Sequence, residues 1–133
     1  MGLLKGKTAV ITGAGSGIGR AVALALGKEG TTLCLVGRAV EKIGAVAALA
    51  RENGSTVHCY QVDLSVDKDI VKLVSGVERD FKKLDILVNS AGFFSVAGIE
   101  DASIEDFDRH YQVNVRAPYR LTQLLLPMLR ATQ

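Results

Sequence analysis

The residues best suited to chemistry form one short run, Thr12-Gly13-Ala14-Gly15-Ser16-Gly17-Ile18-Gly19-Arg20. It follows an apolar stretch, Thr8-Ala9-Val10-Ile11, that reads as a short buried parallel strand. It precedes Ala21-Val22-Ala23-Leu24-Ala25-Leu26, which reads as an apolar helix. The glycines therefore fall in the turn between a first strand and a first helix. A phosphate reaches the backbone there only where side chains are absent, and the N–H groups that open the helix then point at the anion. The spacing is G-x-x-x-G-x-G on Gly13, Gly17 and Gly19. G-x-G-x-x-G fails, because from Gly13 its third glycine falls on Ile18 and from Gly15 on Arg20. The Walker pattern fails too, with Ile18 in place of its second glycine and no Lys-Ser/Thr after it. A glycine turn alone is commonly just a turn; the strand before it and the helix after it mark this one as a cradle for a pyrophosphate.

A second chemical signal stands at the end of the second predicted strand. A site for an unphosphorylated ribose wants an acid roughly 20 residues past the glycines. Here the strand ends Val36-Gly37-Arg38, with no acid at its tip. A guanidinium matches a phosphate in shape and charge, so Arg38 favours a ribose 2′-phosphate, and Lys42 lies one turn further on. The expected cofactor is NADP rather than NAD; the plainer alternative is a solvated surface arginine.

Positioning these groups requires an alternation of strands and helices. Strands are expected at Thr8–Thr12, Thr32–Val36, Thr56–Gln61 and Asp85–Val88. Helices are expected from Gly17 to Glu29, closed by Gly30; from Val40 to Glu52, closed by Asn53-Gly54; and from an N-cap at Ser65 to near Phe81. After a loop over Asn89–Ala102, Ser103 should cap a long helix running to about Arg130, kinked before Pro118. Right-handed βαβ units then give an α/β, Rossmann-type parallel sheet of order 3-2-1-4 with helices on both faces. Ligand belongs beyond the carboxyl ends of the strands, where the order reverses between strands one and four.

Composition agrees with a doubly covered sheet. Hydrophobic residues make up 48% of 133 residues, a content that sheets buried on both faces produce. Sixteen basic and fourteen acidic residues leave a net charge of +2, too balanced to argue for nucleic acid or a membrane surface. No apolar stretch reaches membrane-spanning length, and the first residues lack the apolar core of a secretion signal. Cys34 and Cys59 fall in predicted strands and read as buried reduced thiols, which points to the cytoplasm. His58 and His110 have no partner at metal-ligand spacing, so no metal site is expected.

Taken together, Thr12-Gly13-x-x-x-Gly17-x-Gly19, Asp63-Leu64, Asn89-Ser90-Ala91-Gly92 and Asn114, in that order, resemble the short-chain dehydrogenase/reductase family. The lead-in Leu4-Lys5-Gly6-Lys7-Thr8-Ala9-Val10-Ile11 is similar to that family's as well. The resemblance spans the whole chain but only the first half or so of a typical member. It implies that Gly13, Ser16, Gly17, Ile18 and Gly19 form the pyrophosphate turn, braced by the Thr12 hydroxyl. It implies that Asp63 and Leu64 hold the adenine, although a short acid at a strand end is also an ordinary turn former. Ala91 and Gly92 would leave room for the nicotinamide ribose, Asn89 would brace the sheet, and Asn114 would hold a water in the proton relay. Two departures stand out: Ser16 occupies a place where many NADP-preferring members carry a base, and Ser90 replaces an Asn.

The family's chemistry needs a Tyr with a Lys four residues on and an upstream Ser. The tyrosines here are Tyr60, Tyr111 and Tyr119, followed at that spacing by Leu64, Val115 and Gln123. The expectation is thus an incomplete domain over residues 1–133, stopping after the fourth strand and its long helix: the cofactor-binding portion of an NADP-dependent alcohol/carbonyl oxidoreductase, inactive alone. The alternative is a non-catalytic nucleotide-binding or interaction module. An open edge on strand four and an apolar final helix predict a homo-oligomer.

Overall fold

The computed structural model describes residues 2–132. Four parallel strands, β1 (Thr8–Thr12), β2 (Thr32–Gly37), β3 (Val57–Gln61) and β4 (Ile86–Val88), lie in the order β3-β2-β1-β4. This is the expected Rossmann-type sheet. All five residues of β1 are buried, as are the four inner residues of β2. The alternation of a strand sends neighbours to opposite faces. Ala9, Ile11, Leu33 and Leu35 enter one core with Ala23 of α1 (Gly17–Lys28) and with Ile43, Val46, Ala47 and Ala50 of α2 (Val40–Glu52). Val10, Cys34 and Val36 enter the other with Ile70, Leu73, Val74 and Val77 of α3 (Asp67–Asp80) and with Leu121 and Leu125 of α5 (Ala117–Arg130). Among the described residues no helix is long and apolar enough to cross a membrane.

Four expectations need correction. Ser65 does not cap α3; Val66 holds that position, because the Ser65 amide and hydroxyl both donate to Asp63 Oδ1, at 3.0 and 2.7 Å. The last helix is not one kinked rod. It consists of α4 (Ile104–Tyr111), a π-helical turn over Gln112–Arg116, and α5. Pro118 has no N–H to give the Asn114 carbonyl, and the wider turn accommodates that gap, with the Ala117 amide reaching back to Gln112 O. Cys34 is buried, and burial pushes its thiol up to about 12, but Cys59 is exposed on the edge strand β3. Finally, the apolar residues of α5, expected to exceed what one sheet face can cover, divide between the core and half-buried positions. Leu121 and Leu125 are fully buried, while Leu124, Met128 and Leu129 pack against the same core.

Asp85 precedes β4 and fixes its start. Its carboxylate accepts the Thr8 amide at 2.9 Å and lies 3.6 Å from Lys7 Nζ. On the opposite flank, Arg116 makes a two-pronged pair with Asp67, at 2.7 and 3.0 Å, tying the π turn to the start of α3. That pair is solvent-exposed, so it orients the turn more than it stabilises the fold.

Candidate functional site

The carboxyl ends of the strands open into a cleft of about 770 Å³, part of it continuous with solvent. The turn after β1 forms its floor. Gly13 lines the cleft, and a Cβ there would stand 2.8 Å from the Ala91 backbone. Gly19 lies behind it, buried, and a Cβ there would collide with the Gly13 carbonyl oxygen. Only a chain without side chains at both positions closes this turn. Ser16 takes the extended backbone of an N-cap, but its side chain makes no capping hydrogen bond. The first amides of α1 are therefore left for an anion. Gly17 and Ile18 open that helix on the exposed side, outside the cleft lining.

Thr12 is buried and serves three backbone groups with one hydroxyl. Its Oγ1 accepts from the amides of Ser90 and Ala91, both at 3.0 Å, and donates to Val88 O at 3.4 Å. The turn after β1 and the segment after β4 are thus held at a fixed separation. Removing that oxygen would leave two amides unserved, at about 1–3 kcal/mol for each one that stays buried.

The remaining walls come from the other strand ends. Arg38 and Lys42 line the cleft beyond β2; Arg38 is exposed, and its carbonyl accepts Gln61 Nε2 at 3.2 Å, which sets its backbone. Asp63 and Leu64 line it beyond β3. The Asp63 amide donates to Asp69 at 2.9 Å. Burial pushes the Asp63 carboxyl up. The two hydrogen bonds from Ser65 and the charges of Arg109 and Arg38 outweigh it and hold the group below the usual carboxylate range, so it is ionised at neutral pH. Ala91 and Gly92 line the cleft beyond β4. Asn89 turns away from it and donates to Thr122 of α5 at 3.1 Å.

Asn114 also lies outside the lining. Its side chain pairs with the backbone of Phe93 at both ends, accepting the amide at 2.7 Å and donating to the carbonyl at 2.8 Å. One turn earlier, His110 Nε2 accepts the Ser95 amide at 3.2 Å, and Ser95 Oγ donates to Asp106 at 3.0 Å. An accepting Nε2 places the ring proton on Nδ1, which bonds Asp106 O at 2.6 Å. His58 instead sets its ring edge-on to Phe81, with centroids 4.8 Å apart.

Sequence reasoning missed Phe93, Arg109 and Val113, all of which line the cleft. Arg109 and Val113 lie four apart on one helical segment and so share a face, a periodicity that would have pointed to both. Phe93 carried no such signal, because only the fold brings its loop against α4.

A family model described as short chain dehydrogenase matches residues 7–133. Tetrahydroxynaphthalene reductase of Pyricularia oryzae is 35% identical over 117 residues, 87% of this chain and 41% of that protein. The fold superposes on a metagenomic short-chain oxidoreductase in complex with NADP with a TM-score of 0.92, at 35% identity, covering 97% of this chain and 59% of that one. It superposes on an NAD+-bound xylitol dehydrogenase with a TM-score of 0.90, at 31% identity, covering 98% and 50%. The chain spans about half the length of the proteins it matches.

Proposed function

Because the chain belongs to the short-chain dehydrogenase family, we propose that it forms the cofactor-binding part of an NADP-dependent oxidoreductase interconverting a small alcohol and its carbonyl compound. The observation that carries this reading is the pairing of a side-chain-free turn at Gly13 and Gly19 with a cation, not an acid, at the tip of β2. In this reading the amides from Gly13 to Gly19 hold the diphosphate, and Arg38 with Lys42 holds the 2′-phosphate. Asp63 and Leu64 flank the adenine, and Ala91 and Gly92 make room for the nicotinamide ribose. Thr12 and Asn89 keep the strand ends in place. When bound, the cofactor supplies or accepts hydride. The Asn114 side chain is committed to the backbone of Phe93, so in this reading Asn114 anchors the 93–95 segment beside the site where the resemblance places a relay water.

These 133 residues contain no Tyr-x-x-x-Lys. The chain by itself is therefore expected to bind NADPH saturably, seen as a change in nicotinamide fluorescence, and to leave NADPH unconsumed with small ketones and aldehydes. Absence of saturable binding sinks the reading; turnover shows that the catalytic groups lie elsewhere than the family pattern places them. Both cysteines are unpaired thiols, in keeping with a cytoplasmic setting.

Self-association is part of the same proposal. Ile104, Phe107, Tyr111, Val115 and Tyr119 recur every three or four residues from α4 into α5, and all lie between 55% and 73% exposed. A stripe of that width is suited to packing on its own copy about a two-fold axis. Sedimentation should give a dimer or larger particle, converted to monomer by Phe107→Glu; a monomeric parent chain at micromolar concentration removes this part.

A further inference from the structure

The assignment of groups above leaves one cation in the cleft without a task. Arg109 lines the cleft from α4, with Asp63 and Leu64 among the other lining residues. Its guanidinium carbon stands 4.9 Å from the centroid of the Phe93 ring, so one face of the planar group is covered. Its Nε is buried and has no hydrogen-bond partner. No carboxylate lies within ion-pair distance of it among the described residues. The guanidinium is thus tied by neither a hydrogen bond at Nε nor an ion pair, and Phe93 covers only one of its faces.

The surroundings choose between two ligands. A phosphate is drawn to a guanidinium fork, but the proposed reading already places the diphosphate on the turn after β1 and the 2′-phosphate on Arg38 and Lys42 at the tip of β2. A purine has no such rival seat. It offers a flat π-face to the guanidinium face that Phe93 leaves uncovered.

We infer that Arg109 binds the adenine of the dinucleotide, which stacks on the guanidinium face opposite Phe93 and completes a ring–cation–ring sandwich. This rests on the proposed placing of the adenine beside Asp63 and Leu64. Phe93 acts as the backstop that keeps the guanidinium flat toward the base, and the two-point pairing of Asn114 with the Phe93 backbone holds the backstop itself.

The test is a set of dissociation constants for NADPH, NADH and 2′,5′-ADP with the parent chain and with Arg109→Ala and Arg109→Lys. Arg109→Ala should weaken all three ligands by a common factor of about ten, the scale of one base stacked on one planar group. Arg109→Lys should stay weak, because an ammonium keeps the charge but not the flat face. Losses confined to NADPH and 2′,5′-ADP, or restored by Lys, would assign Arg109 to a phosphate and overturn the inference; so would unchanged constants. If the parent chain binds none of the three ligands, the cleft reading itself fails, and this one with it. Should Arg109→Ala lose its native circular dichroism, the lysine variant decides alone: affinity near the parent's for all three ligands rejects the stack.

Discussion

Substituting alanine for Gly19 should eliminate measurable NADPH binding and lower the melting temperature by several degrees. The added Cβ would run into the Gly13 carbonyl oxygen and stand 3.1 Å from that of Thr12. Both obstacles are backbone, so no rotamer change relieves the overlap, and the turn has to open. Overpacking of this kind costs about 1–3 kcal/mol, occasionally more. In the proposed reading, the opened turn also moves the amides that would hold the diphosphate. Losing two hydrogen bonds to a charged group, at about 1.5–3 kcal/mol each, weakens binding by a factor of 100 or more. Gly44→Ala is the matching control. Gly44 lies inside α2 with open space around its Cβ position, so alanine should raise stability by about 0.5–1 kcal/mol and leave NADPH binding alone. Thermal melts and a fluorescence titration on both variants suffice. Parent-like affinity in Gly19→Ala would mean that the turn does not carry the phosphates.

The second large effect concerns Arg38. The parent chain should bind NADPH well ahead of NADH, and Arg38→Ala should cost NADPH about 10- to 100-fold while NADH changes little. The reasoning is that a charge-assisted, two-pronged contact to a 2′-phosphate is worth about 1.5–3 kcal/mol, and only NADPH carries that phosphate. Arg38→Asp should go further and reverse the order, since a carboxylate repels the phosphate and accepts from the free ribose hydroxyls. The variant is expected to fold normally. Arg38 is exposed, and it is the backbone carbonyl, not the side chain, that Gln61 engages. Equal affinities for the two dinucleotides in the parent, or an unchanged ratio in Arg38→Asp, would remove NADP from the proposal.

The sheet and its order were legible because the information is local and repeated. Apolar runs such as Thr8–Thr12 and Thr32–Val36 have one role in a chain that alternates with amphipathic helices, and glycine and asparagine mark the helix ends. The close turn at the floor of the cleft was legible for a related reason: where backbone packs on backbone side chains must be absent, and that requirement is written into the chain as Gly13 and Gly19. What escaped notice depended on long-range placement. Arg109 and Phe93 meet only because Asn114 and His110 lace the 93–95 segment to the helix, across sequence separations of 21 and 15 residues. The π turn depends on how Pro118 is accommodated in three dimensions. Ser65 could serve either the helix or Asp63, and the choice fell to the nearer carboxylate. The apolar face left exposed was misjudged for the same reason. Leu121 and Leu125 look surplus along the chain, yet the core shared with α3 buries them, while Phe107 and Tyr119 stay bare.

The position of β1 in the middle of the sheet has a consequence for how the protein is made. Synthesis delivers β1 first, and its pairing with β2 is available after some two dozen residues, with Thr8 opposite Thr32. Its other neighbour comes much later: Ala9 pairs with Ile86, and the Thr8 amide reaches across 77 residues to Asp85. Closing so long a span is slow, because the entropy of the intervening chain is lost before the contact repays it. A nascent chain on the ribosome therefore holds a strand destined for full burial with one flank bare until residues 85–88 have been translated. That interval is when a chaperone would matter most to its yield.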